Sequence, residues 1–532
     1  MKYILFPGRH LLTTAFQKKY ILEQIANSDE QICIIFAITS ANQRGSRYNP
    51  LPLWVRALGV DRFGQELQGT KPTIQYRIVP VPHFGLVENF TELVIKYVQD
   101  SLHIDLHPEN TNILCSTQAL AKRFRKNNFI VYDAEFNINT QEYTEKTPNE
   151  ILKNIIESDF TDIEKADDFS LLSLSGQSLW KTLPQVYAHV HRLWNDPLLT
   201  ESGSLTETRD YATYAYGMGH NQLLEFKYQD VKDAIIPGRI VDEGCADGSL
   251  LARIITDEPD SDYIGVDITA EFIARCQERQ RLGDFGNSYI NFYQRNITEE
   301  IFKENTISTT LCNSTTHEIY SYGNGEKDIH AYLAHKYKQT QAGGRIIIRD
   351  VVGPEDKNKI IYAKLSDTDG ENMRPEEVKS WSDFSPETLE GLSTLSRFYL
   401  YAETYLRDLI DAGRRDVQEK INYSIEKIDD TVYIKTSFKN ITEYITKKDY
   451  TDNWLSESNE QFAFWSFSEW EQALEKAGFS IVHNGTTYSK AYTNQWIVEN
   501  RFRGSVELFE KTEQGLTTIP YPPTNMVLVG EK

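Results

Sequence analysis

The residues of this chain whose types and spacing could do chemistry are concentrated in one run of about a hundred. An apolar strand, Arg239-Ile240-Val241, leads into Asp242-Glu243-Gly244-Cys245-Ala246-Asp247-Gly248. Small residues at 244, 246 and 248 let the chain turn tightly and bring its backbone close to a ligand. Taken alone, such a loop is equally a plain strand–helix turn. The next apolar strand, Tyr263-Ile264-Gly265-Val266, ends on Asp267 and Ile268. An acid about 20 residues beyond the loop is placed to accept hydrogen bonds from ribose hydroxyls. After Ile290–Tyr293 comes Asn296-Ile297, whose amide can bond the amine and ring edge of adenine. The strand Thr309–Cys312 opens into Asn313-Ser314-Thr315-Thr316-His317-Glu318, and Arg345–Ile348 ends on Arg349-Asp350. His317, with an unperturbed pKa near 6.5, is a candidate base, and Glu318 or Asp350 would orient it or bind an acceptor. The plainer alternative is that His317 and Glu318 merely open a helix, with the glutamate near its positive end.

These residues need a sheet edge to hold them. Short apolar runs alternate with helical patterns twice along the chain, which predicts an α/β protein of two doubly wound, Rossmann-like domains. The first run is Lys2–Phe6, Ile32–Ile38, Gln75–Val81, Asn112–Cys115 and Phe129–Tyr132, with helices such as Leu93–Asp100 and Gln118–Asn127 between them. It sets a first domain at 1–157. Residues 158–235 read as a linker and helical lead-in, with Tyr211, Tyr214 and Tyr216 on a helix Thr208–Asp233, placed there for packing. Residues 236–532 form the second domain. A large, mainly helical insertion interrupts it at about 353–477, with Pro386–Asp411 as a long amphipathic helix and Phe462–Ala477 carrying the aromatic run Phe464-Trp465-Ser466-Phe467-Ser468-Glu469-Trp470. The sheet pattern resumes at Phe479–His483 and closes at Met526–Val529, and Trp496–Phe502 reads as a strand.

On these motifs residues 236–352, with the final strands, resemble the class I S-adenosylmethionine-dependent methyltransferases. IVDEGCADG is similar to the family's first motif, with Asp242 in the acidic place, and IGVD to its second, with Asp267 as ribose ligand. Asn296 falls where the family often has an adenine-contacting Asp or Asn, and Ala246 replaces the usual middle glycine. The resemblance implies S-adenosylmethionine as cofactor, held by Asp242, Glu243, Gly244, Cys245, Ala246, Gly248, Asp267, Ile268, Asn296, Ile297 and Asn313. His317, Glu318 and Asp350 would lie at the catalytic edge. The Asn-Pro-Pro-Tyr type of run carried by amino-methyltransferases of nucleic acids is missing from the fourth strand.

The first domain resembles the nucleotidyltransferases, nearest to the nicotinamide-nucleotide adenylyltransferases. The matches are Gly8-Arg9, Asn49-Pro50 with the following Arg56, and Val79-Pro80-Val81-Pro82. The family's His-x-Gly-His falls on Thr14-Ala15-Phe16-Gln17, and the late Arg is missing from Lys146–Leu152. A glutamine there removes a cationic donor to transferring phosphate. The resemblance therefore implies a nucleotide-like binding or scaffolding unit rather than an active enzyme, with His10 the one histidine near enough to substitute.

A formal net charge of -21 disfavours nucleic acid as a partner, because phosphate neutralisation needs a basic face. Five scattered cysteines without a CxxC pair point away from disulfides and zinc and toward a reducing compartment. Neither a signal-peptide run nor a membrane span is expected. The sequence predicts a cytoplasmic methyltransferase acting on a small-molecule acceptor, with a nucleotide as a further ligand of the first domain. It leaves the oligomeric state open. The alternatives are a bifunctional nucleotidyltransferase/methyltransferase, an RNA methyltransferase, or a cofactor-sensing module.

Overall fold

The computed structural model describes residues 2–26, 30–85, 87–116, 118–134, 136–137, 142–143, 146–158, 163–209, 211, 221–377, 384–483 and 489–532. The chain divides into two compact units, residues 1–203 and 204–532.

The first unit is built on five parallel strands: β1 (Lys2–Gly8), β2 (Ile32–Ile38), β3 (Ile74–Pro80), β4 (Thr111–Cys115) and β5 (Ile130–Asp133), in the order β3-β2-β1-β4-β5. A small hairpin of β6 (Phe136–Asn137) and β7 (Glu142–Tyr143) stands apart. A parallel strand covered on both faces reads as an unbroken apolar run; β2, Ile-Cys-Ile-Ile-Phe-Ala-Ile, is buried throughout. Ile4 and Phe6 of β1 face one core and Leu5 the other. The helices Leu174–Thr182 and Pro184–Asn195, expected in a linker, pack through Leu179, Trp180, Val186 and Val190 onto Leu11, Leu51 and Val55 of this unit. The linker boundary at 158 therefore moves to about 203.

The strands of the second unit are β8 (Arg239–Glu243), β9 (Asp262–Asp267), β10 (Ile290–Gln294), β11 (Ile307–Asn313), β12 (Thr340–Asp350), β13 (Ile360–Leu365), β14 (Tyr423–Ile428), β15 (Thr431–Ser437), β16 (Ser480–Ile481), β17 (Lys490–Tyr492), β18 (Val506–Thr512), β19 (Gly515–Thr518) and β20 (Asn525–Glu531). The main sheet runs β10-β9-β8-β11-β12-β20-β16, with β17 also on β20. β8 to β12 are mutually parallel, and β20 inserts antiparallel beside β12. The strand order reverses between β8 and β11, so a crevice opens at their carboxyl ends, where ligands bind in open α/β sheets.

The stretch 353–477 differs from the mainly helical insertion expected. It contributes β13, β14 and β15 to a separate antiparallel sheet, β14-β15-β13-β18-β19. β14, Tyr-Ser-Ile-Glu-Lys-Ile, has no fully buried residue, so its sequence is too polar to announce a strand. The helices cover one face of this sheet, with Phe398, Tyr401, Ile441 and Tyr444 in the core between. Pro386–Asp411 is three helices, Pro386–Gly391, Thr394–Thr404 and Arg407–Asp411. Ser393 caps the second, and Leu406 in the left-handed region (φ 56°) starts the third. Trp496–Phe502 is helical rather than extended, and widens into a π-turn at Val498–Phe502. No helix among the described residues is long and apolar enough to cross a membrane.

Candidate active site

β8 carries two acids to the carboxyl edge of the main sheet, and strand alternation sends them to opposite faces. Asp242 is 2 % exposed; burial pushes its carboxyl up to about 7, opposed by Lys227 and reinforced by Asp267 and Glu243. Glu243 lies in the core beneath, 2.5 Å from the Lys336 ammonium, with both side chains at most 1 % exposed. A lysine from the helix Glu326–Gln339 thus engages a glutamate expected to face the cofactor.

The loop that follows is a backbone cradle. Gly244 and Gly248 have φ of 77° and 76°, and a Cβ on Gly244 would lie within 3.0 Å of the Thr315 side chain. Ala246 takes the left-handed φ of 46°, a conformation L-residues adopt at a cost. It is held there because its N–H donates to Asp267 Oδ2 at 3.0 Å and its carbonyl accepts from Cys276 Sγ at 3.1 Å. Asp267 Oδ1 accepts from the Thr269 N–H at 2.8 Å. Each carboxylate oxygen has a second lone pair. Burial raises Asp267 to about 6 against these hydrogen bonds. Asn296 turns its carbonyl to Thr298, accepting from N at 3.0 Å and Oγ1 at 2.8 Å. Ile268 gives its backbone carbonyl to Gln294, and Ile297 and Cys245 are core residues. Asn313, at the end of β11, has a buried side-chain nitrogen with no hydrogen-bond partner among the described residues.

Across the crevice, Asp350 at the end of β12 caps the helix Thr316–Tyr322. Its Oδ2 accepts from the N–H groups of Thr315, Thr316 and His317 at 3.1, 2.7 and 3.2 Å and from Thr316 Oγ1 at 2.5 Å. Its Oδ1 accepts from His317 Nδ1 at 2.7 Å. The other ring nitrogen, Nε2, lies 3.4 Å from Glu460 Oε2. Burial would lower the His317 pKa, but the Asp350 and Glu460 carboxylates outweigh it and hold the imidazole well above its ordinary value. In that charged form the imidazole has no lone pair to accept a proton, and its Nδ1–H is donated to Asp350. Glu318 faces Arg209, 2.6 Å away, and the same guanidinium reaches Glu460 Oε1 at 2.5 Å. Tyr322 donates to Glu460 Oε1 at 3.1 Å.

The cradle and this cluster are neighbours, with Gly244 against the Thr315 side chain. Tyr211 packs on Ala246 and Phe272, with its ring 5.3 Å from Phe272. Burial raises its hydroxyl to about 12, with Arg209 opposing and Glu318 and Asp267 adding to the effect. Tyr214 and Tyr216 lie outside the described residues. Burial lowers Lys227 to about 8, as does Arg349, while Asp242, Asp350 and Asp247 pull it up; it stands beside the cradle acids.

Sequence reasoning missed Arg209, Lys227, Lys336, Glu457 and Glu460. Arg209 sits in a turn-rich segment and Glu460 in the polar run Ser456–Gln461. Neither has a spacing that ties it to His317, and they meet across 251 residues of chain.

Comparison with known proteins adds an independent finding. Residues 238–427 match the family model described as a methyltransferase domain. That is less than half of the chain, and it spans the cradle, the His317 helix and the first strands of the second sheet. No curated protein matches the chain. Solved structures similar to it include an S-adenosylmethionine-dependent methyltransferase from Mesorhizobium loti (12% identity, 60% of this chain and 100% of that one, TM-score 0.30). Another is a SAM-dependent methyltransferase from Archaeoglobus fulgidus (11%, 61% and 100%, 0.30). A third comes from Methanosarcina mazei (11%, 57% and 96%, 0.29). At these scores the structural likenesses add nothing to the sheets described above.

Residues 238–427 therefore carry a methyltransferase domain by that match, and the cofactor that the sequence resemblance implies for it is S-adenosylmethionine. The residues present fit that molecule. The glycine cradle leaves no room for a Cβ at 244, Asp267 offers carboxylate lone pairs, and Asn313, at the carboxyl edge of the sheet, has a buried donor with no partner among the described residues.

Proposed function

We propose that this chain methylates a small molecule. S-adenosylmethionine, when bound, supplies an electrophilic methyl group. The chain's own part is to hold it and to align an acceptor. Asp267, Asn296, Asn313 and the backbone of Gly244–Gly248 are the holding residues in this reading. Arg209, His317 and Asp350 are positioning residues that fix the Glu318 and Glu460 carboxylates at the acceptor side. The observation that carries the small-molecule reading is the burial of that side: Glu460 and His317 expose 1 % and 8 % of their side chains. A base or residue within a macromolecule would have to be extruded to reach them.

The RNA reading called for a groove joining Arg44, Arg47, Lys122, Arg123, Arg125 and Lys126. Arg47 is ion-paired to Glu201 at 3.2 Å and Arg125 to Asp133 at 3.1 Å, which argues against it. We read the first unit as a nucleotide-like binding or scaffolding domain. Gln17 is spent in a capping box with Thr14, and His10 gives Nε2 to the Phe6 carbonyl at 2.9 Å. We place the protein in the cytoplasm, a reading supported by five buried cysteines, none of them in a disulfide.

The test is to incubate the full chain with methyl-labelled S-adenosylmethionine and a cell extract split into small-molecule, RNA and protein fractions. Label should enter the small-molecule fraction. Label confined to RNA or protein would overturn the reading.

A further inference from the structure

One buried charge in the second unit is left without a partner. Glu457, on the short helix Trp454–Ser458, is 7 % exposed, and its carboxylate makes no hydrogen bond or ion pair among the described residues. It stands close enough to Glu460, Arg209, His317 and Lys447 for their charges to act on it, and its own charge reaches the Tyr322 and Tyr401 hydroxyls. The neighbouring charges are paired among the described residues, although Glu460 Oε2 accepts no hydrogen bond. Lys447 pairs with Glu443 at 2.9 Å, with both at 1 % exposure, and Arg209 spans Glu318 and Glu460. His317 and the backbone satisfy Asp350. Four carboxyl groups, Glu318, Asp350, Glu457 and Glu460, thus face two cations, Arg209 and His317.

From this imbalance we infer that the cluster receives the ammonium group of an amine acceptor, with Glu457 as the carboxylate that pairs with it and takes up its proton. The inference rests on the methyltransferase reading of the same site. Burying a carboxylate without a partner is costly, and an ammonium removes that cost as it binds. The aromatic surroundings favour a cation too: the Phe462 ring stands 4.8 Å from the His317 ring, and Lys447 already lies over Phe462 at 4.3 Å. His317, Glu318 and Glu460 each offer an atom within 4.8 Å of the others, but Arg209 lies against both glutamates, so a metal ion there would have to displace the guanidinium.

The proton step balances on residues present. An ammonium N–H bond breaks, an O–H bond forms on Glu457, and the electron pair stays on nitrogen, which becomes the nucleophile. Burial, with Glu460 adding to it and Arg209, His317 and Lys447 opposing, raises Glu457 to about 7. A general base works best with its pKa near the working pH.

The test is calorimetric titration of the full chain with benzylamine, benzyl alcohol and benzoate, which share one skeleton and differ in charge. S-adenosylmethionine is titrated in parallel, and all four titrations are repeated on Glu457→Gln. The wild type should prefer benzylamine to both others by at least about tenfold. Its benzylamine affinity should fall roughly tenfold from pH 8 to pH 6, as the carboxylate protonates around pH 7. Glu457→Gln should lose the preference and the pH dependence but keep its affinity for S-adenosylmethionine. The proposal is overturned if the wild type binds benzoate or benzyl alcohol as well as benzylamine, or binds none of the three. It is equally overturned if Glu457→Gln binds benzylamine undiminished. In each of these cases binding of S-adenosylmethionine leaves the methyltransferase reading standing, whereas failure to bind it sinks that reading instead.

Discussion

Two parallel sheets in this chain end in the same kind of edge, and they treat their buried charges in opposite ways. At the carboxyl end of β1, Arg56 is 1 % exposed and gives its terminal nitrogens to the backbone carbonyls of Arg9, Thr39 and Ser40 at 3.2, 2.9 and 2.9 Å. Its charge is used to hold the loops after β1 and β2. His10 is wedged between Phe6 and Phe36, and burial keeps it neutral, with its pKa lowered to about 4. At the carboxyl end of β8 and β11 the charges are paired with one another, two carboxylates hold the His317 pKa above its ordinary value, and among the described residues the Asn313 side-chain nitrogen and the Glu457 carboxylate have no partner. The first edge spends its buried charge on its own backbone; the second sets its charges against one another. Similar folds therefore do not imply similar use, and the side chains at the edge decide.

The largest effect that would sharpen this contrast is expected in the core beneath the second edge. Lys336→Met strands Glu243 in the core, and breaking a buried pair in this way costs about 3–5 kcal/mol. Chemical denaturation should show the loss in the second unit alone; a loss under about 1 kcal/mol would mean that Glu243 is not confined as described. Arg56→Met, in the first unit, leaves buried carbonyls without donors and should cost about 1–3 kcal/mol. If Arg56 instead faces a ligand, the variant keeps its stability and that unit is more than a scaffold.

The smallest effect is one of pH, and the two histidines should give opposite signs. The folded pKa of His10 lies below its unfolded value of about 6.5. Its contribution is present above that value and is lost as pH falls toward about 4. The folded pKa of His317 lies above the unfolded value, so its contribution is complete below about pH 6.5 and is lost as pH rises through the folded pKa. Thermal unfolding followed unit by unit should show the first unit weakening in acid. The second should weaken in alkali, and His317→Asn should flatten that alkaline slope. An alkaline slope unchanged in the variant would return His317 to the neutral state that a base requires.

How much of this was legible beforehand follows from distance along the chain. The cradle, Asp267 and the sheet around them are local patterns: a small-residue loop, an acid at a strand end, and apolar runs buried on both faces. His317 and Asp350 were also found, because each ends or follows a strand of one parallel sheet. Arg209, Glu457 and Glu460 were not, since a pairing across 251 residues leaves no periodic trace. The second sheet was missed for a different reason. β14 and its neighbours are half-buried and alternate with polar residues, so a window over them reads as polar helix or loop. Trp496–Phe502 is apolar enough for a strand, and tertiary packing of Val498 and Phe502 wound it into a helix instead.

The central claim is that Gly244–Gly248 and Asp267 form a cofactor site. Its most direct test is calorimetric titration of S-adenosylmethionine into the full chain and into Asp267→Ala. The wild type should bind, and the variant should bind more weakly by about 1–3 kcal/mol, the cost of losing one hydrogen-bonding carboxylate. Equal affinity in the two proteins would remove Asp267 from the site and contradict the account.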